Sequence, residues 1–288
     1  MNIVKEIKIG DVKKLFPKRD PNSHKGMNGR VMIVGGSKEY FGAPILSALG
    51  SLYSGADLVY VFVPECNFDV SRSHYADLIV RQFPGDYLDM KAVTPILEFA
   101  KKCDCILIGP GLGEREATME ALLRIVKALE VPTVLDAGAI QVFQKIKDVP
   151  QQQILLTPHH NEFETLTGKD IKISGSLSNK VVLLRTLATD LKINILLKGP
   201  QDLIASEEGD LSLNNTGNAG MTVGGSGDVL SGFAAGLISQ GASPYHASQI
   251  AVFLNGKAGD SLYKQKGFAY SASDIAFELP YVIKSSVF

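Results

Sequence analysis

Cysteine is scarce in this chain: Cys66, Cys103 and Cys105 are the only three in 288 residues. That count rules out a disulfide framework. Cys103 and Cys105 form a C-x-C at the start of an apolar run, where strand alternation predicts both thiols on one buried face; no further Cys or His stands nearby to complete a zinc set. An excess of charge of either sign is missing too. Twenty-nine basic and thirty acidic residues give a net charge of −1, and no basic run of five or more appears, so nothing points to nucleic acid. The first ten residues carry Lys5, Glu6 and Lys8 and lack the apolar stretch of a secretory signal. Charge is absent over one long stretch, 229–256, which has the length of a membrane span. Polar and turn residues such as Ser231, Gln240, Ser243, Pro244 and His246 interrupt it, so two buried helices joined near 241–244 fit better. These features predict a soluble cytoplasmic protein without membrane contact. No Pro/Ser-rich linker, composition break or fixed-period repeat divides the chain, and a single domain over 1–288 is expected.

What is present is an alternation. Apolar runs at 31–34, 58–63, 105–108, 133–135, 154–156 and 193–197 are almost free of polar residues, as central strands covered on both faces are. Helix-like segments lie between and after them, at 43–54, 91–101, 117–129, 162–167, 178–191, 228–239 and 244–262. A turn at 207–209 joins two further runs, 202–206 and 211–213, into a hairpin. Strand–helix repetition of this kind predicts an α/β fold, a central, mainly parallel sheet between two helical layers.

In open parallel sheets ligands bind outside the carboxyl ends of the strands. Here the segments after the runs carry the unusual residues: GGS at 35–37, GPGLG at 109–113, DAG at 136–138, TPHH at 157–160 and KG at 198–199. The strongest signal is GNAGMTVGGSGDVL at 217–230, a glycine-rich loop opening straight into an apolar helix. Glycines let successive N–H groups turn into one concavity, and the helix N-terminus adds its positive end, which together make an anion site. Asp228 at the helix start is either a plain N-cap or the group that takes a proton from a hydroxyl attacking a bound phosphate. A Walker A motif is absent. The G-x-G-x-G at 109–113 has neither the spacing nor the downstream acid of a dinucleotide fingerprint, which makes hydride transfer a poor reading.

Taken together, GGSGD at 224–228, TPHHNE at 157–162 and GPGLG at 109–113 resemble the ribokinase-like fold. More closely, these and VMIVGGS at 31–37, YFGAP at 40–44, LDAGA at 135–139 and LKG at 197–199 resemble the ADP/ATP-dependent NAD(P)H-hydrate dehydratases, over nearly the whole chain. The resemblance implies a ribokinase-like three-layer α/β/α domain that repairs hydrated NADH and NADPH. The ring hydroxyl of the S-hydrate is phosphorylated from ADP or ATP, and the ring nitrogen then helps expel phosphate. By the same resemblance Asp228 is the catalytic aspartate and also touches the hydrate, with Ala43, Gly111, Gly113 and His159. Lys198, Gly199, Pro200, Gln201 and Asp202 run along the nucleotide with Gly225, Ser226 and Gly227, and Glu162 orders Mg²⁺ through water. Lys198 is also readable as a merely solvated strand-end lysine, and His160 as a neighbour of the site. Ser226 stands where many relatives have Thr, Asn161 replaces a common Gly, and the segment 270–274 fits only loosely. Family likeness and the apolar stretch 48–63 imply a homotetramer, the TPH form leans towards ADP, and epimerisation of the R-hydrate is expected to come from another protein. Two other functions share the cradle: a kinase acting on a hydroxymethylpyrimidine, thiazole or sugar alcohol, and a non-catalytic nucleotide-binding protein.

Overall fold

The computed structural model describes residues 4–146, 152–167 and 177–288; residues 1–3 and two internal stretches of the expected 1–288 domain lie outside them. The strands are β1 (Lys5–Glu6), β2 (Arg30–Val34), β3 (Leu58–Pro64), β4 (Ile79–Phe83), β5 (Cys105–Ile108), β6 (Thr133–Leu135), β7 (Ile154–Leu156), β8 (Asn194–Leu197), β9 (Asp202–Ala205) and β10 (Leu211–Asn214). The helices are α1 (Ile9–Leu15), α2 (Gly42–Tyr53), α3 (Phe68–His74), α4 (Met90–Ala100), α5 (Glu116–Ala128), α6 (His160–Thr167), α7 (Leu177–Leu191), α8 (Ser226–Ser239), α9 (Pro244–Lys266) and α10 (Ala272–Val287).

All ten strands form one sheet, ordered β1-β10-β9-β8-β7-β6-β5-β2-β3-β4. Strands β2 to β8 pair in parallel, and β9 alone among the described strands runs against its neighbours, as one arm of the expected hairpin. Successive residues of a strand face opposite ways. Val31 and Ile33 therefore pack into one core with α2, α8, α9 and α10, while Met32 and Val34 pack into another with α4, α5 and α7. Two cores divided by a sheet are the three layers that the alternation predicts. All six expected strands and all seven expected helices form, with ends moved by a few residues. The structure adds β1, β4, α1, α3 and α10. Strand β4 escaped the search for apolar runs because it is an edge strand, in which Ile79, Arg81 and Gln82 are exposed.

One expectation needs correction. Cys103 and Cys105 are both buried, but they lie in the two different cores. Strand β5 begins only at Cys105, and Cys103 sits in the turn after α4, where strand alternation does not yet hold. Burial pushes the Cys103 thiol up to about 12, which leaves it inert at neutral pH. Within the apolar stretch 48–63, Ala48, Leu49, Val59, Val61 and Val63 are buried in the core, while Leu52, Tyr53 and Tyr60 are half-buried. The uncharged stretch 229–256 forms the two helices expected, α8 and the first half of α9, broken at Gly241 with φ 96°. No helix among the described residues is long and apolar enough to cross a membrane.

Helices α2 and α8 pack backbone against backbone. A Cβ on Gly232 would sit 1.9 Å from the Ser47 carbonyl oxygen, and one on Gly50 would sit 2.2 Å from that of Val229. Small residues on both helices remove the side-chain layer that ordinarily separates helix axes by 8–10 Å. The sheet order reverses between β5 and β2, so the chain leaves their carboxyl ends in opposite directions and opens a crevice there. The pairing of α2 with α8 fixes the first turn of α8 beside that crevice.

Candidate active site

Gly225 stands immediately before α8 with φ 93°, a conformation that glycine adopts without strain. Ser226 is thus the first residue of the helix and Asp228 the third, so Asp228 is not the N-cap. Among the described residues, nothing donates a hydrogen bond to its carboxylate. The amides of Gly224, Gly225, Gly227 and Asp228 reach no carbonyl, whereas the Ser226 amide is tied to Val223. The Ser226 hydroxyl turns away from the hollow to the Met221 carbonyl oxygen at 2.7 Å. The cradle is therefore made of the amides flanking Ser226, consistent with a position that tolerates either Ser or Thr.

Lys198 follows β8 and is not a solvated lysine. Its ammonium is 2.9 Å from Asp136 Oδ1, with 19% of the lysine side chain exposed, and a Cβ on Gly227 would lie 3.3 Å from its Nζ. Burial opposes its charge, but the carboxylates of Asp136, Glu162 and Asp228 outweigh that and hold its pKa above the ordinary lysine value. Asp228 lacks such compensation. Burial, with repulsion from Asp136 added, pushes it up to about 7, and Lys198 offsets only part of this.

Asp136 carried no role in the sequence reading. It follows β6 directly, is 2% exposed, and accepts from Thr157 Oγ1 at 2.8 Å as well as from Lys198. Its own carbonyl leaves no room over Gly109, where φ is 134° and a Cβ would meet that oxygen at 1.8 Å. The available signal was an acid closing an apolar strand at the carboxyl end of the sheet. We expect Asp136→Asn to move the acidic limb of the pH–rate profile down by about one unit, because removing a nearby anion lowers the pKa of Asp228. An unmoved limb, read from kcat across pH 5–9, would show that Asp136 only braces Lys198.

His159 and Glu162 cap α6 together. The His159 amide donates to Glu162 Oε2 at 2.8 Å, while His159 Nδ1 accepts from the amides of Asn161 and Glu162 at 3.1 and 3.2 Å. With Nδ1 an acceptor, the ring proton of neutral His159 sits on Nε2, the nitrogen 3.5 Å from Glu162 Oε1. Asn161 takes a helical conformation here, so replacing the common glycine costs the backbone nothing. Asp202, expected along the nucleotide, points its carboxylate into the protein. It accepts from the Gly199 amide at 3.1 Å and from Asn214 Nδ2 at 3.0 Å, and burial still raises its pKa to about 6. Gln201 bonds to Asn215 at 2.7 Å on the exposed rim.

A cleft of about 770 Å³ runs from this machinery along Gly199, Pro200 and Asp202 to a second wall made by Thr216, Asn218, Ala219, Met221, Leu230, Val252, Asn255 and Gly256. Asn218, Ala219, Met221 and Leu230 fall within the glycine-rich segment 217–230 singled out in the sequence, whereas Thr216 and the α9 residues Val252, Asn255 and Gly256 went unread, being ordinary residues of a loop and a helix. Tyr270, from the loosely matching segment, braces it by donating to Asn218 Oδ1 at 2.8 Å. Of the residues expected at the hydrate, His159 lines the cleft with Lys198. Leu46 of α2 abuts Gly225, Ala43 Cβ is 3.2 Å from where a Gly111 Cβ would be, and the Gly113 carbonyl oxygen is 2.8 Å from where one on Gly138 would be, which brings Ala43, Gly111 and Gly113 together at the start of α2 and the loops after β5 and β6. Asp228 stands in the first turn of α8, one residue after Gly227, whose own neighbour is the Lys198 ammonium.

Residues 31–281 match the family model of NAD(P)H-hydrate dehydratase. The chain belongs to this family. It is 37% identical over 276 residues to the ADP-dependent (S)-NAD(P)H-hydrate dehydratase of Cenarchaeum symbiosum, covering 95% of each chain. It is 38% identical over 278 residues to the bifunctional NAD(P)H-hydrate repair enzyme Nnr of Methanothermobacter thermautotrophicus, of whose length it spans 53%. The fold matches the crystal structure of the ADP/ATP-dependent NAD(P)H-hydrate dehydratase of Bacillus subtilis co-crystallised with ATP/Mg²⁺, with a TM-score of 0.85, 27% identity and coverage of 98% and 99% of the two chains. Within this family the buried, unpaired carboxylate beside free amides falls on the GGSGD segment, and the ribokinase-like fold expected from the sequence is the one present.

Proposed function

We propose that the protein dehydrates the S-form of hydrated NADH and NADPH, using ADP or ATP as phosphoryl donor. The observation that carries this reading is Asp228: a carboxylate whose pKa is pushed up to about 7, with no hydrogen-bond donor among the described residues, in the same helix turn as the free amides of Gly225 and Gly227 and within the field of the Lys198 ammonium. Asp228 takes the proton of the ring hydroxyl as that oxygen attacks the terminal phosphorus, and the bond from phosphorus to the bridging oxygen breaks. The amides of Gly225 and Gly227 and the Lys198 ammonium hold the charge on the transferring group, already in place before the reaction. The ring nitrogen lone pair then expels phosphate, and loss of a ring proton restores NADH. AMP or ADP leaves along Gly199 and Pro200.

The donor set also fits Mg²⁺. Glu162 Oε1 accepts nothing closer than the 3.5 Å approach of His159 Nε2, and its charge, with those of Asp136 and Asp228, acts on the Lys198 ammonium. Mg²⁺ commonly keeps several waters, so Glu162 and phosphate oxygens would hold it through them. Such an ion would neutralise phosphate charge during transfer.

The test supplies S-hydrate with ADP or ATP and Mg²⁺. Near-ultraviolet absorbance of NADH should return in step with inorganic phosphate. A phosphorylated hydrate that accumulates unchanged would mean a kinase, and the absence of turnover with either nucleotide would mean a binding protein.

A further inference from the structure

The two ends of the cleft differ in chemistry. Near Lys198 it is polar, but Ala219, Met221, Leu230 and Val252 give its far end an apolar surface. A planar base fits such a slot, and its edges then need partners, because a buried unpaired polar group weakens binding.

One side chain at that end is waiting for a partner. Asn255 on α9 lines the cleft and is 3% exposed. Its Oδ1 is buried with no hydrogen-bond partner, and no described group bonds its Nδ2. The asparagines nearby are spent internally. Asn214 joins Asp202 to Thr216, and Asn218 serves Asp260, Gly220 and Tyr270. Asn255 is also held in place. Its neighbour Gly256 lies against Thr216, where a Cβ would be 2.2 Å from the threonine hydroxyl, and that hydroxyl donates to the Phe253 carbonyl at 3.0 Å. A carboxamide fixed in an apolar slot with donor and acceptor both unused is a reader for a ligand edge that offers one of each.

We propose that Asn255 selects the nucleobase, pairing its carboxamide with the N6–N7 edge of an adenine laid between Met221 and Val252. Adenine presents an amino donor beside a ring-nitrogen acceptor on that edge, the complement of an asparagine carboxamide. A 6-oxopurine presents two acceptors there, so one end of the carboxamide meets a mismatch. The proposal rests on the nucleotide reading of the cleft and adds to it the residue that sets base preference. Asn255 touches no reacting atom, so its effect belongs in nucleotide affinity and not in the chemical step.

The experiment titrates ADP, IDP and inorganic pyrophosphate, each with Mg²⁺, into the full chain and into Asn255→Leu and Asn255→Asp by calorimetry. The parent should favour ADP over IDP by about tenfold or more, the worth of one well-made base pairing. Both variants should lose most of that preference through weaker ADP binding while holding pyrophosphate as before; unchanged pyrophosphate affinity also shows that they are folded. ADP affinity within twofold of the parent in Asn255→Leu overturns the proposal, as does a parent without preference between ADP and IDP. A parent that binds pyrophosphate but neither nucleotide removes the nucleotide reading itself, and the proposal with it. In turnover assays the same variants should raise KM for ADP and leave kcat within about twofold; a fall confined to kcat counts against it.

Discussion

Asp228→Asn should abolish hydrate turnover, by about 10²–10⁴-fold in kcat, and leave ADP binding within a few-fold of the parent. The asparagine keeps the volume and loses only the proton acceptor. The free amides of Gly225 and Gly227 and the Lys198 ammonium, which the proposed mechanism assigns to the phosphates, stay in place. Because burial and Asp136 raise Asp228 to about 7, kcat of the parent should fall as pH drops through that value. The variant should show no such limb in its residual rate. Stability moves the other way. A carboxyl group whose folded pKa lies above its unfolded value of 3.8 holds more protons folded than unfolded over that interval. Its contribution to stability is intact below pH 3.8 and is lost as pH rises through 7. At pH 8 the parent bears the whole cost of an ionised, unpaired carboxylate, so Asp228→Asn should melt higher there, and the gap should close near pH 3.5. A variant that keeps turnover, or melts no higher than the parent at pH 8, contradicts the environment described for Asp228.

Gly232→Ala should destabilise the fold by about 3 kcal/mol, the upper end of what overpacking ordinarily costs. The added methyl meets the Ser47 carbonyl oxygen at 1.9 Å, and the carbon and Cα behind it at 2.6 and 2.7 Å. All three are backbone atoms of α2, which cannot rotate away, so the helices must part. Parting them carries the first turn of α8 away from Lys198, and activity should fall even where the protein remains folded. Urea unfolding at 25 °C measures the first effect. A midpoint equal to the parent's would mean that the helices are not in backbone contact.

The legibility of this molecule varied with its chemistry. Central strands such as β5 and β6 were plain, since burial on both faces leaves no place for a polar residue. The edge strand β4 was hidden, since half its side chains face water. Asp228 and the glycines before it were readable because a left-handed backbone and free amides demand particular residue types. Asp136, buried and essential to the charge balance, looked like a strand-end acid until Lys198 arrived from a segment about sixty residues later. The α9 side of the far wall was invisible for a similar reason. Val252 and Asn255 are unremarkable within a long helix and acquire meaning only when the loop 216–222 folds over them. Cys103 shows the limit of periodicity arguments: it lies two residues before β5, where strand alternation does not hold, and so falls in the other core from Cys105.

The contact between α2 and α8 reaches further than stability. One helix begins at Gly42, next to Ala43, and the other at Ser226, while their middles touch without intervening side chains. Helices locked together in this way keep their first turns at a fixed spacing. If nucleotide and hydrate bind as proposed, any adjustment on loading falls to what surrounds that pair: the β8 turn with Lys198 and the glycine loop after β5.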